Sequence, residues 1–497
     1  MMDPSPRRVE RDAGAFSIGA AFRPIAWIVG AQAVLATWAD ADLWGHLRFG
    51  LDLLRDRRLT TTDPYSFTQD LPWVNHEWLS ELAMALAYSL GGNAGLMVLR
   101  GLFAAVVVLL LAHATRHAAD RWRWPVLAIV FAGMIPLAGT VRPQLWTLLL
   151  VAALCRLLSA GGRWLVLVPP LLAVWANAHG GWILGLGMLA AWAGGQAIEP
   201  YVNPRATRTP IAPLALVVSL SIAATLVTPY GWHLWQFILE TVRLSRSDIT
   251  EWQPIWRTGV ANPLLWAAGA GLVVVFVRSR GWPPLGAAAI IAMLAYSSLR
   301  VTRLVPLFMV ATAMLLAPRF PAREAGPPDT RAKVVLDVAT TVMALLLMLQ
   351  TSVLPRCIAI TGPWIPDLAA AADLEAARPS GRLVTSFNWG QFALWHFGPA
   401  LRVSIDGRRE TIYSDDTLDE QRAILLGEPK GFAALERIRP EYVWLPIDEG
   451  RATRDWLQAN GYRIDVETSR SFVAVREDLP ALVDSDPVVS ACFPGSE

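Results

Sequence analysis

Long blocks of apolar residues dominate the first 355 positions. They cover about 22–39, 93–115, 124–140, 143–159, 164–178, 180–198, 210–228, 262–278, 282–298, 303–318 and 333–354. A helix needs about 20 apolar residues to cross a bilayer, so these blocks predict about eleven spans, several parted only by Pro or Gly. Two regions break the pattern. Between about 40 and 80 polar residues return in a large loop. From 360 to 497 charge rises, and strand-like pieces at 382–387, 401–406, 442–447, 462–467 and 471–477 alternate with helix-like ones. The expected fold class is therefore mainly α, a polytopic transmembrane helical bundle (22–355) behind a short tail (1–21), with a C-terminal soluble α/β domain (360–497).

Arginines near the span ends set the orientation. With the tail in the cytoplasm, every inside loop carries basic residues, among them Arg7, Arg116, Arg163, Arg205, Arg278 and Arg319, as the positive-inside rule requires. An odd number of spans then places 360–497 on the external, periplasmic side of an inner membrane. The polar motifs DADLWGH, VNHEW, VRPQ, NAHGGW and EWQPIW land on that same face.

Composition sharpens this picture. The chain has 497 residues, 54% hydrophobic and 17% charged, too apolar for a soluble globule. A net charge of +2 gives no electrostatic footprint for nucleic acid. No GxGxxG or Walker pattern occurs, so no nucleotide cofactor is expected. Of the three cysteines, Cys357 and Cys492 share the external side and either pair or remain two free thiols.

The first external loop is the leading candidate for a reaction centre, because polar groups of that density beside a hydrophobic segment are costly unless used. Asp40 and Asp42 either cap a helix or form an acidic pair. Asp42 and His46, four apart, would share a helix face, which suits an acid–base or metal pair and equally an ordinary intrahelical contact. His76 and Glu77 are adjacent and would point apart on a helix, so at most one faces a site. Arg142 is either an interfacial anchor or an anion ligand. Arg300 and Arg303, one turn apart on a helix, read as an anion clamp. Glu251 either supports the site or starts a helix. Most tryptophans suit a membrane-interface belt, whereas Trp44, Trp73 and Trp252 lie inside polar motifs and are candidates to stack on a ligand. Gly45, next to Trp44, either widens the space beside that ring or is neutral. NWGQF and IDGRRE sit at the ends of predicted strands, where α/β sheets bind ligands.

Taken in order, D-A-D, W-G-H-L, D-P-Y-S-F-T, W-V-N-H-E-W, NAHGGW, TPYGW, EWQPIW, NWGQF and IDGR resemble the bacterial integral-membrane glycosyltransferases of the GT-C superfamily. These are related to polyprenyl-phosphate-sugar mannosyltransferases and, more distantly, to the catalytic subunit of oligosaccharyltransferase. The resemblance implies transfer of a sugar from a polyprenyl-phosphate donor in the bilayer to a glycan, lipid or protein acceptor on the external face. Asp42, or its neighbour Asp40, would then be general base. Arg142, Arg300, Arg303 and His179 would offset the charge on the leaving phosphate. If the acidic pair Asp40 and Asp42 held a divalent ion such as Mg or Mn, that ion would do the same.

Two other classes remain. A transporter for a lipid-linked saccharide should show repeated halves and charge at mid-membrane, and the sequence has neither. The third is a non-catalytic envelope scaffold.

Overall fold

The computed structural model describes residues 18–206, 210–241, 249–322, 357–482 and 490–495. Ten of the eleven predicted apolar runs fall on helices; the run at 333–354 lies outside the described residues, as does most of the tail. The helices are α1 (Ile18–Leu35), α2 (Leu43–Asp56), α3 (Trp78–Ala114), α4 (Asp120–Ala138), α5 (Gln144–Ala160), α6 (Val168–Ala178), α7 (Trp182–Val202), α8 (Ile211–Ala224), α9 (Trp232–Thr241), α10 (Ala261–Arg280), α11 (Leu285–Arg300) and α12 (Val305–Leu316). Among the described residues, three helical stretches are long and apolar enough to cross a membrane: Trp78–Ala114, Ala261–Arg280 and Thr302–Arg319. Others are shorter than expected. Helix α6 has 11 residues, about 17 Å of rise against a hydrocarbon core of about 30 Å, so counting apolar blocks does not by itself give the number of crossings. Leu90, Val98, Leu102 and Leu109 of α3 point outward from the protein, which suits a lipid rather than an aqueous environment.

A buried arginine fixes the end of the bundle that carries the site. Helices leave their last four carbonyls without intrahelical donors. Arg100 of α3 donates to the carbonyls of Ala33 (3.1 Å) and Val34 in the last turn of α1 and of Ala138 (2.7 Å) at the end of α4. The chains leaving the two helices then meet: the Trp38 N–H donates to the Gly139 carbonyl (3.0 Å), and a Cβ on Gly139 would lie 2.1 Å from the Trp38 ring. Asp40 and Asp42, just beyond α1, are thereby set beside Arg142, just beyond α4.

The C-terminal region forms a five-stranded mixed sheet ordered β2-β1-β3-β5-β4, from β1 (Gly381–Thr385), β2 (Leu401–Val403), β3 (Tyr442–Pro446), β4 (Tyr462–Glu467) and β5 (Ser471–Arg476). The first three are mutually parallel and β5 is antiparallel to β3 and β4. After β1 the chain turns to β2 on one side and later to β3 on the other. NWGQF and IDGRRE leave the carboxyl ends of β1 and β2 at this reversal, where open sheets bind ligands. Cys357 and Cys492 form a disulfide (Cα–Cα 5.6 Å), which decides the pairing left open by the sequence.

One buried ionic node joins this domain to the first loop. Arg408 pairs with Asp63 (2.7 Å) and Asp406 (2.6 Å), all three buried, and lies over the rings of Phe49, Tyr65 and Trp73. Asp63 also accepts the backbone N–H groups of Tyr65 and Ser66, so the D-P-Y-S-F-T motif builds a socket for the arginine of IDGR.

Candidate active site

A cavity of about 650 Å³ opens between the helix bundle and the sheet domain. Its polar end carries Asp40, Asp42, His46, His76, Glu77, Arg142, His179, Glu251 and Arg303, and Trp73 and Trp252 also line it, whereas Trp44 and Arg300 do not. Its wall continues into the bundle as Ile183, Leu184, Met293, Leu304 and Leu307, while Phe387, Asn388, Gln391, Gly407 and Arg409 cover it from the domain side.

Arg142 sits at the centre of the acidic groups. It meets Asp40 at 2.9 Å, Asp42 at 3.2 Å and Glu251 at 3.1 Å. Its charge partners hold its pKa above the usual value against burial. Asp42 moves in the other direction: burial, reinforced by the charge of Asp40, pushes its carboxyl up to about 7, although Arg142 and His46 pull it down. Glu251 is held down to about 2 by Arg142 foremost, with Arg303 assisting against burial. Arg303 lies 4.0 Å from Glu251 and over the Trp252 ring. The cation in this cluster is thus already paired to three carboxylates. A divalent ion on Asp40 and Asp42 would share their oxygens with the guanidinium, and like charges would be forced together. The acidic pair does not fit the Mg or Mn site expected of it.

His46 turns its Nδ1 to Glu81 (3.0 Å), not to Asp42. Burial opposes its charging, but the Glu81 hydrogen bond and the charges of Glu77 and Glu81 raise its pKa to about 9. Asn75 Nδ2 donates to the other Glu81 oxygen (2.6 Å). Glu77 lies among three imidazoles, His179 at 3.5 Å, His76 at 3.7 Å and His46 at 3.8 Å. Against burial, the charges of His76 and His46 foremost hold its carboxyl below the ordinary range.

His179 differs from its expected role. The Trp175 indole N–H donates to Thr147 Oγ1, whose hydroxyl donates in turn to His179 Nδ1 (2.7 Å), and the Gly181 N–H also donates to Nδ1 (3.0 Å). Two donors on one nitrogen assign the proton to Nε2. Burial holds the ring's pKa down to about 3. His179 is a neutral N–H donor, not a cation for phosphate.

Other expectations also change. His76 and Glu77 both line the cavity, because helical geometry starts only after them, at Trp78. Arg300 is exposed and outside the cavity while Arg303 is inside: α11 ends at Arg300, Val301 is extended, and the helical face the two were to share is broken. Trp44 is fully buried, packed on Trp364, Phe392 and Phe493, with its indole N–H on the Pro494 carbonyl (2.8 Å), so it cannot stack on a sugar. Gly45 widens nothing. A Cβ there would lie 2.1 Å from Gln391 Oε1, so the glycine lets the NWGQF helix close on α2. Gly407 does the same for the site, since its Cβ would lie 1.9 Å from Asp42 Oδ1.

Glu81 and Thr147 were not among the sequence candidates, and Asn75 and Gln391 were reached only as members of VNHEW and NWGQF. Glu81 stands one turn after Glu77 at the start of an otherwise apolar helix, a costly position that was a readable signal.

No protein-family model matches this chain, and no curated protein matches it in sequence. Solved structures do. The oligosaccharyltransferase of Archaeoglobus fulgidus superposes with a TM-score of 0.59 over 95% of this chain and 76% of its own, at 10% identity. The arabinofuranosyltransferase AftD from Mycobacteria gives 0.45 over 96% of this chain at 14% identity, and this chain spans 40% of it. The likeness to the oligosaccharyltransferase shows a shared fold.

Proposed function

We propose that this chain is a membrane glycosyltransferase of the GT-C type, moving a sugar from a polyprenyl-phosphate donor to an acceptor hydroxyl. The observation that carries the reading is the single cavity in which a carboxylate with a near-neutral pKa, an arginine and an apolar wall from the helix bundle converge. The acceptor oxygen attacks the anomeric carbon as its proton passes to Asp42, for which a pKa near the working pH is the favourable range. The bond from that carbon to the phosphate oxygen breaks with its electron pair on the leaving lipid phosphate. Arg303, beside Glu251, faces the cavity to offset the charge gained. His179 Nε2 and Trp252 supply a neutral donor and an aromatic face. Arg142 keeps the acidic pair in place.

The fold's likeness to an oligosaccharyltransferase supports the reaction class. The Cys357–Cys492 disulfide supports placing the domain and the cavity on an oxidising, external face. The test compares lipid-linked sugars extracted from cells with the chain, without it, and with Asp42→Asn. A lipid-linked sugar that accumulates on deletion and stays high with Asp42→Asn is the expected result. An unchanged pool in both strains overturns the proposal, and a pool restored by Asp42→Asn removes Asp42 as base.

A further inference from the structure

A group of side chains at the edge of the cavity plays no part in this scheme. Helix α2 lies so close to α3 that a Cβ on Gly50 would sit 2.1 Å from the Glu81 carbonyl oxygen, and this approach brings His46 onto Glu81. The ligating atoms of His46, Glu77 and Glu81 lie within 4.8 Å of one another. His46 Nδ1 is 3.0 Å from Glu81 Oε1 and 3.8 Å from Glu77 Oε2. Four-coordinate sites with ligand bonds of about 2.0–2.2 Å separate adjacent ligand atoms by roughly 3.4 Å, which falls between these two distances. His76 Nε2 is 3.7 Å from Glu77 Oε1 but is not one of the three groups whose ligating atoms share that radius, so the set offers three protein ligands and leaves a fourth position for water.

The surroundings are those of a supported site. Asn75 holds the second oxygen of Glu81, and its Oδ1 accepts the Glu77 backbone N–H (3.2 Å). His179 Nε2–H faces Glu77 Oε1 at 3.5 Å. Such outer hydrogen bonds orient metal ligands and tune their basicity. His46, His76, Glu77 and Glu81 all line the cavity, which supplies an entry path. The cluster also joins imidazole to carboxylate, whereas Asp40 and Asp42 are occupied by Arg142.

We propose that His46, Glu77 and Glu81 bind one divalent first-row transition ion such as Zn²⁺, Mn²⁺ or Co²⁺, with water in the fourth position. Imidazole nitrogen favours such ions over Mg²⁺ or Ca²⁺, which take oxygen ligands. The proposal stands apart from sugar transfer, because it concerns binding alone.

The test uses the full chain in detergent or nanodiscs, stripped with chelator and titrated with Co²⁺ while d–d absorption and calorimetry are followed. One equivalent should bind with a four-coordinate spectrum. His46→Ala and Glu77→Gln should each weaken binding by at least about tenfold, as should the positioning variant Asn75→Ala, while Asp42→Asn should bind Co²⁺ like the parent. Thermal unfolding of each variant separates lost binding from lost fold, and Glu77, which is not fully buried, serves if His46→Ala does not fold. Absence of binding at millimolar Co²⁺ in the parent overturns the proposal. So does binding that survives in the folded His46→Ala or Glu77→Gln variants, or that is lost in Asp42→Asn.

Discussion

Replacing Arg142 by Gln tests whether the guanidinium sets the proton affinity of Asp42. A unit charge 3.2 Å from the Asp42 carboxylate contributes about 5 kcal/mol at an effective dielectric of about 20, an upper bound because water enters the vacated space. Carboxylates paired with arginine are typically depressed by about 1–3 pK units. Without Arg142, Asp42 should therefore rise from about 7 to roughly 8–10. A general base works only when deprotonated, so its rate falls as pH drops through its pKa, and raising that pKa moves the acid limb to higher pH. At neutral pH the ionised fraction should fall roughly fivefold for a one-unit rise and more for a larger one. The assay is transfer from a lipid-linked sugar donor measured from about pH 5 to about pH 10. Arg142→Gln should recover activity on the alkaline side, whereas Arg142→Lys, which keeps the charge and loses the fork, should hold the parental limb more closely. A loss in Arg142→Gln that is uniform across pH, in protein that remains folded, would show that the guanidinium does not set the proton affinity of Asp42.

Three further outcomes are expected. Arg408→Met strands Asp63 and Asp406 without their cation and should cost about 3–5 kcal/mol of stability, read by thermal unfolding in detergent; a negligible shift in midpoint would show that the node does not hold the domain to the loop. Gly407→Ala should lower turnover while leaving the fold, because its methyl would occupy the position of Asp42 Oδ1; unaltered kcat counts against that contact. Arg303→Ala should lose transfer by about a hundredfold to a thousandfold, the scale of one charge-stabilising donor, while Arg300→Ala should be close to neutral, and equal losses in the two would contradict their separation by the break at Val301.

Much of the site was legible because its ingredients are local. Asp40, Asp42, Arg142, His179 and Glu251 stand just beyond an apolar run or between runs, Arg303 opens one, and a topology based on arginine distribution sent them to one face. Trp44 was misread because an aromatic in a polar motif carries no mark of the side to which it turns. Arg300 and Arg303 were misread because periodicity extends a helix past Val301 with nothing to stop it. Arg408 was invisible as a node since Asp63 lies 345 residues away.

Hydropathy and periodicity are properties of neighbours along the chain, so ten apolar runs could be read as helices and five alternating pieces as strands before any fold was known. Tertiary structure alone decided which charge meets which: Arg142 among three carboxylates, His46 on Glu81, Arg408 in its acidic socket, Cys357 on Cys492. Ionic and hydrogen-bonded pairing acts over a few ångströms, and only the packing of distant helices on a small sheet, made possible at Gly45, Gly50 and Gly407, brings those atoms within that range.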